Sequence, residues 1–371
     1  MHTTGSGLAV TRAARRARAW PMTMVLAALP ALTVASGPAL MPYKDVSLAI
    51  DPATPRIATA VHGGPPALLP GGPGQPSQPD GRLPGGAQAL VWAFATGECG
   101  QERWGPFDTE AFAGLNVAAF AAAGVPYIVA TGGEAGGFHC ASNAGMARFL
   151  ARYDSALLRG IDFDIERDQS DAQIADLMAR VAFGLRHRPG LRWSVTLATH
   201  AATDGSHQSL NATGERVLAA ARSAGVLAHL VVNLMVMNYG PAQPRHCPLR
   251  EAAAGAAAAC DMGAAGLQAA RNVQARHGIA LSRIALTPML GRNDVADNRF
   301  SLADARRLAA DVRASGLEGL HFWSLDRDRA CAGDADALSP LCHGLPGLAP
   351  LGYSRAMAQA LAEALAGTAA R

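Results

Sequence analysis

The chain has 371 residues, 50% of them hydrophobic and 16% charged, with 40 Gly, 23 Pro and 6 Cys. That apolar content excludes a disordered chain, and the length suits one large or two ordinary domains with ample core to bury. The formal net charge of +3 traces to Arg12, Arg15, Arg16 and Arg18, which precede residue 36 without any Asp or Glu; the rest is close to neutral, its arginines scattered, which excludes a nucleic-acid footprint.

Residues 1–36 read as an export signal: an Arg-rich start, an apolar stretch over 22–35, then the small residues Ala35, Ser36 and Gly37. The stretch is too short for a membrane span. The Arg15-Arg16 pair leaves a twin-arginine route open beside the general secretory one. No other apolar run is long enough to cross a bilayer, so the mature protein is expected to be secreted or periplasmic and to work without ATP.

Residues 42–50 follow with apolar and β-branched residues at strand spacing, too short a segment for a domain of its own. A Pro/Gly-rich stretch over 63–86 is then an excursion inside the fold. Further short apolar runs lie at 90–95, 127–131, 160–166, 192–198, 230–239, 283–289 and 319–324. Helical stretches stand out at 141–153, 171–185, 214–224, 264–277, 302–315 and 354–366, with Ser301 a suitable N-cap for the fifth. Strands alternating with helices mean βαβ units, and eight of them predict an α/β fold of the (β/α)8 TIM-barrel type, a single domain over 40–366. The rival is a doubly wound open sheet, but no G-x-G-x-x-G turn follows the first strand.

An exported chain makes disulfides the default for Cys99, Cys140, Cys247, Cys260, Cys331 and Cys342. Proximity favours Cys247 with Cys260 and Cys331 with Cys342, which leaves Cys99 for Cys140. Zinc held by these cysteines beside His139, His246 or His343 is the alternative, weakened by the missing C-x-x-C spacing.

The segment GIDFDIE at 160–166 carries the chemistry. Side chains alternate along a strand, so Asp162, Asp164 and Glu166 share one face and Ile161, Phe163 and Ile165 the other. In a barrel the apolar face packs on helices and the carboxylates point inward near the strand's C-terminal end, where such barrels carry their sites. Like charges crowded in low dielectric resist joint ionisation, so a proton is retained, and a general acid needs one. A Ca²⁺ or Mg²⁺ site is the rival reading, although it needs more oxygen ligands than this strand supplies.

This segment resembles the D-x-x-D-x-D-x-E signature of family 18 glycoside hydrolases, the chitinases and their relatives. YIVATGG at 127–133 is similar to the family's third-strand S-x-G-G, VNLMVMNY at 232–239 to its sixth-strand V-N-V-M-x-M-D-Y, PMLGRND at 288–294 to P-M-x-G-x-N-D, and HFWSLDRD at 321–328 to W-S-x-x-R-D. The ordered set covers roughly residues 41–350. The resemblance implies a barrel that cleaves β-1,4 bonds between N-acetylglucosamine residues, without cofactor or metal, the substrate's own acetamido carbonyl attacking the anomeric carbon with net retention. Glu166 would protonate the glycosidic oxygen, Asp164 would hold the acetamido group, and Asp162 would share charge or a proton with Asp164. Trp323 would floor the reacting sugar, Tyr239 and Asn238 would contact the acetamido group, and Met235 and Met237 would line the pocket. Asn293 and Asp294 would bind sugar. Each has a plain alternative: Met235, Met237 and Trp323 as barrel packing, Asn293 and Asp294 as turn residues.

Three positions depart from the family pattern. Arg159 replaces the first Asp of the signature, Ala130 the serine of S-x-G-G, and Asn238 the sixth-strand Asp. Without that serine, Asp162 needs another donor, for which Tyr43 on the first strand is the candidate. Asn238 keeps shape while removing a charge. The alternatives are a barrel that binds N-acetylated glycans without cutting them and an endo-β-N-acetylglucosaminidase acting on glycoprotein glycans. Chitin or N-acetylglucosamine oligosaccharides are the expected partners, nucleic acid is not, and a monomer is expected. Only about 30 residues separate Met289 from Trp323, too few for an inserted wall module. With Trp20, Trp92, Trp104, Trp193 and Trp323 the only tryptophans, an open cleft and endo-type cutting are expected.

Overall fold

The structure, a computed structural model, describes residues 38–50, 54–71, 83–166, 169–251, 257–333 and 338–368, together with residues 1, 2 and 5. The chain falls into two units, Met1–Ala35 and Ser36–Arg371. The export signal expected over 1–36 lies outside the described residues but for those three. The second unit carries the fold.

Eight parallel strands close into a barrel: β1 (Ala39–Asp45), β2 (Leu90–Ala95), β3 (Tyr127–Gly132), β4 (Leu158–Asp164), β5 (Arg192–Ala198), β6 (Val231–Met235), β7 (Ile284–Thr287) and β8 (Gly319–Phe322). Each pairs with its neighbours in sequence, and β1 closes the ring on β8. The closed ring excludes the open sheet. Helices α1 (Thr109–Ala123), α2 (Asn143–Arg152), α3 (Asp171–His187), α4 (Ala212–Ser223), α5 (Met262–His277), α6 (Leu302–Ala314) and α7 (Gly352–Thr368) follow β2 to β8 in turn. Between β1 and β2 the described residues hold no α-helix, only a short hairpin of Ala58–Thr59 with Ala67–Leu68 and a 3₁₀ turn at Pro84–Gly86.

Side-chain caps fix where the helices begin. Asp108 accepts from the Ala111 amide, and Ser170 with Gln173 and Ser301 with Asp304 form reciprocal capping boxes at α3 and α6. Helix α1 escapes the sequence pattern because TEAFAGLNVAAFAAA is apolar on most sides, so no polar face marks its period. The first strand starts and stops earlier than the expected 42–50. Asp45 Oδ1 accepts from the Ser47 amide at 2.9 Å and hydroxyl at 2.6 Å, and Ala49 takes φ 59°, so the chain turns out of the sheet. Strand β6 likewise ends at Met235, with Asn238 at φ 52°.

The alternation along β4 holds in three dimensions. Ile161 and Phe163 are fully buried outside the barrel, Phe163 stacked on Trp193 of β5 with ring centroids 6.2 Å apart. Gly184 of α3 gives Trp193 its place, since a Cβ there would overlap the indole. Burying such side chains contributes roughly 1.5–3 kcal/mol each. Asp162 and Asp164 take the inner face, Asp162 paired in register with Ala130 of β3 on one side and Ser194 of β5 on the other.

All six cysteines are paired as the proximity argument predicts: Cys99–Cys140, Cys247–Cys260 and Cys331–Cys342. The bridges tie down loops that follow β2, β3, β6 and β8, on the face to which the strands' C-terminal ends point. No thiolate is left for zinc.

Candidate active site

At that face lies a cavity of about 850 Å³. Its apolar side is built by aromatic residues at strand ends. Trp323, just past β8, stacks on Phe94 of β2 with centroids 5.6 Å apart and planes 17° apart, and Tyr43 of β1 lies 6.3 Å from it. The Ala93–Phe94 and Trp323–Ser324 peptide bonds are cis. Trp323 is half-buried, its surface available to a ligand, whereas Trp92, Trp104 and Trp193 are enclosed in the core.

The polar side descends in steps. Deepest is Asp162, 2% exposed and shut off from the cavity. Its Oδ2 accepts from Tyr43 Oη at 2.8 Å, its Oδ1 from Ser194 Oγ at 2.5 Å, and the Thr196 hydroxyl lies 2.9 Å from both oxygens. Asn233 of β6 donates to Tyr43 Oη and Thr196 Oγ1, both at 2.9 Å, and itself accepts from Thr287 of β7 at 2.8 Å. Five strands thus meet under one carboxylate. Burial raises the Asp162 carboxyl above its usual range, and Ser194, Arg192, Tyr43 and Thr196 pull it back part of the way.

Asp164 is the next step up, 6% exposed and lining the cavity. Its Oδ1 has no hydrogen-bond partner among the described residues. Burial first, then the charges of Glu166 and Asp162, push it well above the usual carboxylate range. Glu166 stands past the end of β4, half-buried at the cavity wall. Gly132 and Gly133 make room for this edge. With φ of 85° and 80°, they sit where a Cβ would run into the Asp164 carbonyl and the Phe94 ring.

The remaining candidates divide. Met235, Met237, Asn238 and Asp294 line the cavity. Tyr239 does not: it is 2% exposed, its hydroxyl has no partner among the described residues, and burial pushes its pKa well above the usual phenol range. The left-handed turn at Asn238 separates it from the cavity side of β6. Asn293 is fully buried and does structural work, accepting from the Asn238 amide at 3.2 Å and donating to the Met289 carbonyl at 3.1 Å. Asn238 donates to Asp294 at 2.8 Å, a pairing an Asp at 238 could make only with a proton on one of the two carboxyls.

Sequence reasoning passed over Phe94, Ser194, Thr196, Asn233 and Thr287. A signal existed for the pair on β5, because RWSVTLA alternates Arg192, Ser194 and Thr196 with Trp193, Val195 and Leu197, the same period that exposes Asp162 and Asp164. Nothing local marks Phe94, whose role depends on where the barrel brings Trp323.

The cavity wall carries Asp45, Glu134, Asp164, Glu166 and Asp294, with no Lys or Arg among the described residues. His200, its one imidazole, is held below its usual range by burial and by His246 stacked 5.8 Å away. Such a lining suits a neutral or cationic ligand and opposes an anionic one.

No protein-family model matches the chain, and no curated protein sequence does. Solved structures do. The catalytic domain of a hyperthermophilic chitinase from Pyrococcus furiosus aligns with a TM-score of 0.61 at 21% identity, over 87% of this chain and 94% of that one. The likeness is one of fold. Catalytic-site mutants of active domain 2 of thermostable chitinase from the same organism, complexed with chito-oligosaccharides, align at 0.62 and 22% identity, over 88% and 95% of the two chains. A Group IV chitinase from Ostrinia furnacalis aligns at 0.50 and 12%, over 88% and 100%.

Proposed function

We propose that this chain is a chitinase-like glycoside hydrolase that cleaves β-1,4 bonds between N-acetylglucosamine residues by retaining, substrate-assisted acid catalysis. The observation that carries this reading is the buried Asp164 between Asp162 and Glu166, its Oδ1 without a hydrogen-bond partner among the described residues, facing a cavity floored by Trp323. A carboxyl that keeps its proton can donate to an acetamido nitrogen or oxygen and orient that carbonyl toward the anomeric carbon. Glu166, more exposed and one step nearer the opening, then delivers a proton to the leaving oxygen and later takes one from water. Trp323 offers a flat apolar face for the C–H side of the sugar ring. The chitinase fold and a cavity lining hostile to anions support the same substrate class. Tyr239 has no part in this scheme.

Cutting is of the endo type in this reading. Trp323 is the only tryptophan of the described residues that reaches the cavity, and between β7 and β8 the chain holds just a two-residue ladder and α6, so no extra wall deepens the groove. Incubating the purified protein with chitin oligosaccharides, and separately with a high-mannose glycoprotein, tests the reading. Cleaved oligosaccharides support it. Glycan release from the glycoprotein alone replaces it with an endo-β-N-acetylglucosaminidase, and binding without cleavage replaces it with a glycan-binding barrel.

A further inference from the structure

The donor missing at Ala130 has a counterpart on the opposite side of Asp162. Ala130 and Ser194 are the two register partners of Asp162, one on β3 and the other on β5. Ser194 Oγ donates to Asp162 Oδ1 at 2.5 Å while accepting from Arg192 Nη1 at 2.7 Å. Arg192 is in turn clamped by Glu318, just before β8, which accepts from Nε at 2.6 Å and from Nη2 at 2.9 Å. An arginine fixed by a fork of this kind cannot rotate away. Its remaining donors point at Ser194 and, at 3.3 Å, at His321 Nε2.

We propose that Ser194 and Arg192 are positioning residues: the Glu318-braced guanidinium orients and polarises the Ser194 hydroxyl, which keeps Asp162 an anion, so that the single proton of the inner carboxylate pair rests on Asp164. This rests on the function proposed above for its catalytic readout, though not for its direct one. The other groups around Asp162 fit. Tyr43 of β1 donates to it, and burial first, then the Asp162 charge, push Tyr43 upward, keeping the phenol protonated. Thr196, Asn233 and Thr287 are neutral donors from β5, β6 and β7. His321 of β8 is pushed down to about 3 by burial and then by Arg192, so it adds no charge at working pH. Burial works against the Glu318 carboxylate, but the Arg192 charge outweighs it and holds Glu318 ionised. Arg192 is a cation whose charge lowers Asp162 directly.

The test is Ser194→Ala with Arg192→Lys beside it, each read by the pH profile of kcat/KM on a chitin oligosaccharide and by ¹³C NMR titration of the Asp162 carboxyl, assigned with Asp162→Asn. Loss of a charge-assisted donor raises the proton affinity of Asp162, so the acidic limb and the Asp162 titration both move to higher pH in Ser194→Ala, by about one pH unit, or tenfold in proton affinity. Arg192→Lys, which keeps charge and loses the fork, moves them part of the way. Ala130→Ser in the Ser194→Ala background restores a hydroxyl from the other register partner and brings both readouts back. An Asp162 titration unchanged in both single variants overturns the proposal. So does a shift that Ala130→Ser leaves uncorrected in a folded double variant. Should Ser194→Ala fail to fold, Arg192→Lys decides alone. A wild-type protein without hydrolytic activity removes the proposed function, and the NMR titration still decides this one.

Discussion

Replacing Glu166 by Gln isolates proton delivery from everything else the cavity does. Glu166 lies beyond the end of β4 and is half-buried, so the isosteric amide opens no cavity, and stability should change by no more than about 0.5 kcal/mol. A positioned general acid contributes roughly 10²–10⁴-fold, so kcat should fall by that factor, about 2.7–5.4 kcal/mol in activation free energy. Binding should survive, because Trp323, Met235 and Asp164 are untouched. The substitution also removes the charge that, after burial, does most to raise Asp164, so the Asp164 carboxyl should titrate at lower pH in the variant. The assay pairs reducing-end release from a chitin oligosaccharide with calorimetric affinity for the same ligand. Wild-type turnover in the variant would refute the assignment of Glu166, and a loss of affinity equal to the loss of rate would make it a binding residue instead.

Asp164→Asn should abolish most turnover and alter stability with a defined sign. Because the folded-state pKa of Asp164 is raised, its contribution favours the native state at low pH and is lost as pH rises through that pKa; the neutral amide escapes the loss, so the melting temperature should exceed wild type by about 2 °C at pH 8 and by less at pH 5. A larger gain at pH 5 contradicts the buried-carboxyl argument. EDTA should leave activity unchanged, and loss restored by Ca²⁺ or Zn²⁺ would return the acidic strand to a metal-site reading. Breaking Cys247–Cys260, a bridge of sequence separation 13, should cost roughly 3 kcal/mol and lower the melting temperature by about 5 °C while kcat stays within about twofold. Scanning calorimetry of Cys247→Ser/Cys260→Ser checks it, and an unchanged melting temperature contradicts it.

The barrel was legible because seven of its strands alternate with amphipathic or capped helices, and because three carboxylates at every second position of one apolar strand have few other uses. What stayed hidden depended on geometry between segments. Helix α1 has no polar stripe to betray its period, and the early end of β1 is set by the Asp45 side chain closing on Ser47. Tyr239 looks equivalent to its cavity-lining neighbours Met235 and Met237 by two-residue spacing, but β6 ends at Met235 and Asn238 adopts φ 52°, so the period breaks before reaching it. The substitution at Ala130 reads as a loss in one dimension. Only the closed ring shows that Asp162 has a second register partner, Ser194, with a hydroxyl in place.

The most direct test of the account is ¹H NMR of the anomeric protons released in the first minutes of hydrolysis of a chitin oligosaccharide by the wild-type protein. Retention through the substrate's own acetamido group predicts an initial excess of the β-anomer, and no cleavage when the sugar in the reacting position carries a free amine. An initial excess of the α-anomer, or equal cleavage of the deacetylated substrate, would contradict it.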